Sequence, residues 1–146
     1  MANKSERHRL SLIMATLGPS TDNEKELLTM ITAGIARQWT DGVDIARVVY
    51  NDGEETIINR VNIFRDQCSK RNFDTSVYLD TDDTDTENFE KYLSLAKVIN
   101  PKYLSIPKTF GLDMISEAKK HFKNEMLIGV RVKKNDDISD IESYFE

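Results

Sequence analysis

Val43–Tyr50, with the sequence VDIARVVY, is the stretch that decides the fold, because a short run of apolar and β-branched residues is typical of a buried strand. Asn51-Asp52-Gly53 follows and has the composition of a turn. Glu54–Lys70 comes next, and its apolar residues recur at helical spacing: Ile57, Ile58, Val61, Phe64 and Cys68. The segment therefore predicts a strand, a turn and an amphipathic helix, which together form one β/α unit.

The same alternation of strand and helix continues on both sides of this unit. Further strands are predicted at Leu10–Leu17, Ser76–Leu79, Lys102–Ile106 and Met126–Val132. Further helices are predicted at Asn23–Trp39, with Asp22 as its N-cap, at Thr86–Ile99, at Leu112–Phe122, and from Ile138 to Phe145. Five consecutive β/α units predict a parallel sheet with right-handed crossovers, either an open doubly wound sheet or part of a (β/α) barrel.

Length and composition indicate a globular protein with one domain. The chain has 146 residues, 39% hydrophobic and 31% charged. We expect residues 1–9 to form a flexible polar tail that is not a signal peptide, and residues 10–146 to form the domain. No apolar stretch approaches the roughly 18 residues of a membrane span. Cys68 is the single cysteine, which excludes an intrachain disulfide and is typical of a cytoplasmic protein.

The charge balance argues against nucleic-acid binding. The formal net charge is -5, with much of the excess in the acidic segment Asp80–Glu90. An acidic chain repels phosphates, so we expect no nucleic acid as a partner. Since no apolar stretch is long enough for a span, we expect no membrane as a partner either.

Several segments resemble, in order, the barrel domain of pyruvate kinases. Ala15–Ser20 (ATLGPS) is similar to the end of the family's first strand and its Thr-Leu-Gly-Pro turn. Gly42–Arg47 (GVDIAR) resembles the second strand, and Leu79-Asp80-Thr81 resembles the third. Lys102–Ile106 and Ile128–Asp137 resemble the fourth and fifth strands. The resemblance therefore covers nearly the whole chain, although Ile35-Ala36-Arg37 is a rival match for the second strand.

The resemblance implies a half-barrel, that is, a partial TIM-type (β/α) barrel of about five parallel β/α units. The family's inserted β-domain is represented here by a few acidic residues after Thr81. The match ends after the fifth strand, so the resemblance implies a truncated relative without the last three strands or the C-terminal domain. A full barrel takes eight units and about 250 residues.

The resemblance also implies a set of site residues. Arg47 matches the family's second-strand arginine, Arg131 replaces a lysine, and Lys133 replaces the glutamate that binds Mg²⁺. Arg47, Arg131 and Lys133 are therefore candidates for binding an anion, because guanidinium and ammonium groups attract phosphates and carboxylates. An ammonium cannot ligate Mg²⁺, so Lys133 argues against catalysis of phosphoryl transfer.

A cation site near the third strand is a second candidate. Asp80 and Thr81 match the family's potassium ligands, but Val49 stands in place of another ligand of that site and cannot coordinate a cation. Asp82 and Asp83 extend the acidic group, which makes Asp80, Thr81, Asp82 and Asp83 a candidate K⁺ or Mg²⁺ site. We favour a solvated acidic loop instead, and expect no cofactor.

Three functions remain open from the sequence. The first is a catalytically inactive pyruvate-kinase-like protein that binds a second copy of itself, a partner enzyme or a small anionic ligand. The second is an enzyme that acts on a phosphorylated or carboxylated small molecule. The third is a subunit of a split enzyme. A half-barrel exposes its inner face and two sheet edges, so we expect a homodimer or a complementary half-barrel partner.

Overall fold

The computed structural model describes residues 11–33, 42–51, 53–81, 86–123 and 125–144. The strands are β1 (Met14–Thr16), β2 (Ile45–Val49), β3 (Ser76–Asp80), β4 (Tyr103–Pro107) and β5 (Leu127–Arg131). The helices are α1 (Glu24–Thr32), α2 (Glu54–Ser69), α3 (Phe89–Ile99) and α4 (Gly111–Phe122). The predicted tail, residues 1–9, lies outside the described residues.

All five strands belong to one parallel sheet in the order β1-β2-β3-β4-β5. Neighbours in the sequence are thus neighbours in the sheet, with pairs such as Met14–Ile45 and Leu104–Ile128. A doubly wound sheet requires its strand order to reverse at one point, and the described strands do not do so. The order is that of a singly wound sheet, which is consistent with half of a (β/α) barrel.

The helices cover one face of this sheet and form the hydrophobic core with it. Right-handed crossovers between sequential parallel strands place every helix on the same side. On that side the strands present alternate apolar residues, namely Ala46, Val48, Val77, Leu79, Leu104 and Ile106. They pack against the apolar stripes of the helices, as the sequence predicted for Cys68, which is 2% exposed. Burial of these stripes provides most of the stabilisation of the fold.

The opposite face of the sheet is the inner face of the half-barrel. Strand register places on it Met14 and Thr16 of β1, Ile45, Arg47 and Val49 of β2, Ser76, Tyr78 and Asp80 of β3, Tyr103, Ser105 and Pro107 of β4, and Leu127, Gly129 and Arg131 of β5. Apolar and aromatic side chains dominate its amino end, and charged side chains lie towards its carboxyl end. No described helix packs on this face.

Two positions in the backbone can be occupied only by glycine without strain or a steric clash. Gly53 ends the predicted turn before α2 with φ 85°, a conformation that other residues adopt only under strain. Gly42 donates its N–H to the carbonyl of Ile31 at the end of α1, 2.8 Å away. A Cβ atom at Gly42 would lie 2.1 Å from the carbonyl oxygen of Met30, so only glycine fits there.

The predicted start of the first helix is wrong by one residue. Asn23, and not Asp22, is the N-cap, and its side chain accepts the N–H of Lys25 at 2.8 Å. Asp22 instead accepts two hydrogen bonds from Arg60 of α2. The described helix ends at Thr32, and the predicted continuation to Trp39 lies outside the described residues apart from Ala33.

The predicted fifth helix is also wrong within the described residues. Only a 3-10 turn forms, at Ile141–Tyr144. Lys108 holds this turn, because its Nζ lies 2.8 Å from Asp140 and 5.3 Å from the ring centre of Tyr144. Lys119 donates to the Tyr144 carbonyl at 3.1 Å. These tertiary contacts fix the segment in a form other than the helix that its apolar spacing favoured.

The first strand is shorter than predicted. β1 has three residues, Met14–Thr16, whereas the pattern predicted Leu10–Leu17, of which Leu10 lies outside the described residues. The described helices are all too short or too polar to cross a membrane.

Candidate functional site

The inner face carries an ion-pair cluster near the carboxyl ends of β2 and β3. Nε and Nη2 of Arg47 donate to Oδ2 of Asp80, at 3.0 and 2.6 Å. Asp80 is 3% exposed, and the Arg47 side chain is 30% exposed. A carboxylate buried to this degree requires a cationic partner, because desolvation of an unpaired charge is expensive.

Arg131 joins the cluster from β5, on the far side of β4. Its Nη1 lies 3.6 Å from Oδ2 of Asp80, and its Nη2 donates to the backbone carbonyl of Thr81 at 2.5 Å. The backbone N–H of Thr81 donates to Oδ1 of Asp80 at 3.0 Å. Two guanidinium groups thus converge on one carboxylate. Guanidinium groups donate well to phosphates and carboxylates, so an anion is the kind of ligand that such donors suit.

Two hydroxyl groups on the same face were not predicted as site residues. Nη1 of Arg47 donates to Oγ1 of Thr16, 3.1 Å away, which links β1 to the cluster. Ser105 is fully buried on β4, and its hydroxyl has no hydrogen-bond partner among the described residues. Thr16 falls within the ATLGPS segment, so that segment was the available signal. The alternation along β4 could have placed Ser105, but only with the strand register known.

Tyr92 of α3 approaches the same strands from the helix side. Its hydroxyl donates to the carbonyl oxygen of Ser105 at 2.7 Å, and the carbonyl oxygen of Leu79 lies 3.1 Å from the same hydroxyl. Burial raises the pKa of Tyr92 well above its usual 10.0, and the negative charge of Asp80 adds to the effect. The phenol is thus a neutral hydrogen-bond donor that ties α3 to β3 and β4.

Lys133 is not part of the cluster. It lies two residues beyond the end of β5, is exposed, and its backbone N–H donates to Asp136 at 2.7 Å. Of the three residues predicted to bind an anion, the structure therefore brings Arg47 and Arg131 together at Asp80. Whether they bind an anion remains a prediction.

The predicted cation site is only partly described. Asp80 and Thr81 lie in the cluster, whereas Asp82 and Asp83 lie outside the described residues. Val49 pairs with Asp80 in the register of β2 and β3, next to the carboxylate. Within the described ranges, no three acidic, histidine or cysteine side chains come together in a metal-binding arrangement.

A second candidate region is a cleft of about 540 Å³ between the β1–α1 connection and α2. Its wall includes Asp22, Arg60, Asn59 and the apolar side chains of Ile58 and Ile63. Hydrogen bonding to Arg60 lowers the pKa of Asp22. The cleft shares no lining residue with the Asp80 cluster, and its ion pair is internally neutralised. We therefore place the candidate site at the cluster and not at this cleft.

The fold and the cluster define an α/β protein with a singly wound, five-stranded parallel sheet and a charged centre on its inner face. (β/α) proteins gather their functional residues at the carboxyl ends of their strands, where this cluster lies. Neither a family model nor a curated protein matches the chain.

Proposed function

We propose that this chain is a catalytically inactive, pyruvate-kinase-like protein that acts as a binding module through the inner face of its half-barrel. The observation that carries the proposal is the inner face itself, which no described helix covers. Parallel sheets are normally covered on both faces, so a face on which no described helix packs favours a binding partner. The proposed relationship to pyruvate kinases rests on sequence segments that resemble that family in the same order. A sheet of sequential parallel strands agrees with it.

The absence of catalysis is supported by the ligands that the resemblance assigns. Lys133 stands where the resemblance places the metal-binding glutamate, so the carboxylate of that position is missing, and an ammonium cannot ligate Mg²⁺. Val49 beside Asp80 offers no donor atom for a potassium ion.

The engagement of Asp80 supports the same conclusion. One carboxylate oxygen accepts from Arg47 and lies near Arg131, and the other accepts from the N–H of Thr81. A hard cation would have to displace these donors, and its charge would add to that of two guanidinium groups. A phosphate or carboxylate could instead accept hydrogen bonds from guanidinium groups, so a small anionic ligand is one form of the proposed binding.

A coupled assay of pyruvate formation from phosphoenolpyruvate, ADP and Mg²⁺ tests the inactive assignment. We expect no turnover above that of a blank reaction. An authentic pyruvate kinase added to the same mixture is the control, since it shows that the assay works in the presence of this protein. Turnover that scales with the concentration of this chain and disappears in Arg47→Met would refute the proposal.

The alternative is an enzyme, or a subunit of a split enzyme, that acts on a phosphorylated or carboxylated small molecule. The convergence of Arg47 and Arg131 at the strand ends favours it. Calorimetric titration with inorganic phosphate shows whether the chain binds an anion. If it does, Arg131→Met should raise the dissociation constant for phosphate more than Lys97→Met on α3 does. Turnover of a phosphorylated compound is then required to favour the enzyme over a non-catalytic module.

A further inference from the structure

The two free edges of the sheet carry a concentration of exposed apolar side chains. Among the described residues, nine large hydrophobic side chains are exposed, and five of them adjoin β1 or β5. Leu12, Ile13 and Met14 are 59%, 43% and 45% exposed at the β1 edge. Leu127 and Val132 are 60% and 39% exposed at the β5 edge. Exposed apolar residues that cluster in this way mark interaction surfaces.

Within the described residues, neither edge strand contains a lysine or a proline, although β1 is short. Natural sheets protect free edges with lysine, proline, bulges or covering elements. β1 consists of Met-Ala-Thr, and β5 begins with Leu-Ile-Gly-Val before Arg131. Among the described strands, β1 pairs only with β2 and β5 pairs only with β4, so the other side of each has no described strand partner for its backbone groups.

We propose that two copies of this chain associate edge to edge, with β1 of each copy pairing in parallel with β5 of the other around a two-fold axis parallel to the strands. This inference rests on the proposed binding role of the inner face and specifies the partner as a second copy. The dimer would form a closed ten-stranded ring that encloses both Asp80 clusters, because each copy contributes five strands in sequential order.

A second copy fits better than an unrelated protein for a geometric reason. A two-fold axis along the strands preserves strand direction, so the apolar β5 edge of one copy meets the apolar β1 edge of the other in the parallel orientation used throughout the sheet. The same two-fold rotation also pairs the β1 edge of the first copy with the β5 edge of the second. An unrelated partner would need both a matching β1-like and a matching β5-like edge at the correct separation.

Light scattering coupled to size-exclusion chromatography tests the dimer with single charged substitutions. The wild-type chain should elute with the mass of two 16.8 kDa chains. Met14→Lys and Leu127→Glu should each raise the dissociation constant about tenfold or more, since each places a charge in an apolar contact. Val98→Lys and Val98→Glu are matched controls, because Val98 is 65% exposed on α3, away from both edges, and both should remain dimeric.

Mixing the two edge variants distinguishes β1–β5 pairing from other dimers. In the mixed dimer, Lys at position 14 of one copy faces Glu at position 127 of the other, and the second contact is wild type. At a concentration a few-fold above the wild-type dissociation constant, mixing should therefore raise the average mass towards that of two chains, whereas each variant alone should be largely monomeric. Circular dichroism of each variant should retain the wild-type spectrum.

Several results would overturn the proposed dimer. The inference is overturned by a wild-type monomer at 100 μM, roughly two decades above a micromolar dissociation constant. It is also overturned by edge variants that associate as tightly as the wild type, by Val98 variants that associate more weakly, or by a mixture that associates no more tightly than either variant alone. A monomer without pyruvate-forming activity would refute this inference alone, whereas turnover in the coupled assay would refute the proposed function.

Discussion

Arg47 and Asp80 face each other on adjacent strands, and two nitrogens of Arg47 donate to a single oxygen of Asp80, at 3.0 and 2.6 Å. The second oxygen is held by the N–H of Thr81, so both oxygens of the carboxylate are engaged. Arg131 approaches the same oxygen as Arg47. The carboxylate thus holds two cationic side chains from β2 and β5 on the inner face.

Removal of this carboxylate should destabilise the fold strongly. We expect Asp80→Ala to lower the free energy of unfolding by about 3 kcal/mol, because loss of one partner of a buried ion pair leaves charge uncompensated. Urea denaturation measures the change. Asp66→Ala is the matched control: its pair with Lys70 is exposed on both sides, and its loss should change stability by less than about 0.5 kcal/mol.

The double variant Arg47→Met/Asp80→Leu tests whether Asp80→Ala loses stability because a charge is left unpaired or because packing at position 80 is lost. If unpaired charge is the cause, the double variant should be more stable than Asp80→Ala. Equal stability of the two variants would show instead that shape and packing at Asp80 dominate.

The Tyr92 hydroxyl should contribute measurably through its bond to the carbonyl of Ser105. We expect Tyr92→Phe to lower the free energy of unfolding at pH 7 by about 1–2 kcal/mol, since a buried carbonyl loses its donor. Tyr103→Phe is the control, because the Tyr103 hydroxyl makes no hydrogen bond within the described residues, and its effect should be below about 0.5 kcal/mol. Equal losses in the two variants would contradict a specific role for the Tyr92 hydroxyl.

The raised pKa of Tyr92 should make the free energy of unfolding depend on pH in the alkaline range. A group whose pKa is raised in the folded state contributes stability that is present below its usual pKa and is lost as the pH rises. The stability of the wild-type chain should therefore fall more steeply above pH 10 than that of Tyr92→Phe. Parallel curves in denaturant titrations between pH 9 and 11 would refute this expectation.

The alternation of strands and helices could be predicted because it depends on local patterns. VDIARVVY and the apolar spacing of α2 indicate their elements without tertiary information. The strand order could not be predicted in the same way, because the doubly wound and singly wound sheets share the pattern. The C-terminal segment shows a further limit: its apolar spacing favours a helix, but contacts of Lys108 with Asp140 and Tyr144 determine its structure.

The candidate site was predictable only in part for a related reason. Arg47, Asp80 and Arg131 followed from matched segments, whereas Lys133 lies apart from them in a turn with Asp136. Tyr92 belongs to an amphipathic helix, and its pattern gives no indication that the hydroxyl reaches two strand carbonyls. Contacts of this kind depend on the crossing of helix and sheet, which sequence spacing does not specify.

The close approach at Gly42 predicts a sharp difference between two glycine substitutions. Gly42→Ala should destabilise the chain by about 2–3 kcal/mol, because its Cβ would lie 2.1 Å from the carbonyl oxygen of Met30 and α1 must shift. Gly18→Ala is the control, since no described atom lies within 4 Å of its Cβ and its φ of -164° suits any residue. Similar thermal midpoints for both variants would contradict the contact.

The ion pair between Asp22 and Arg60 should give the stability an acidic pH dependence. Arg60 is 8% exposed, and hydrogen bonding to it lowers the pKa of Asp22 from its usual 3.8. Because the folded-state pKa is depressed, the pair contributes stability above the usual pKa, and this contribution is lost as the pH falls through the folded-state value. Asp22→Asn should therefore cost about 1 kcal/mol at pH 7, a value discounted for the half-exposed carboxylate.

The difference between wild type and Asp22→Asn should stay constant from pH 7 to about 5 and shrink below about pH 4. Urea denaturation across that range measures it. In an Arg60→Met background the same substitution should show much less pH dependence, because the guanidinium group that depresses the pKa is gone. A difference that grows on acidification, or that persists unchanged without Arg60, would mean that Asp22 acts through contacts other than this pair.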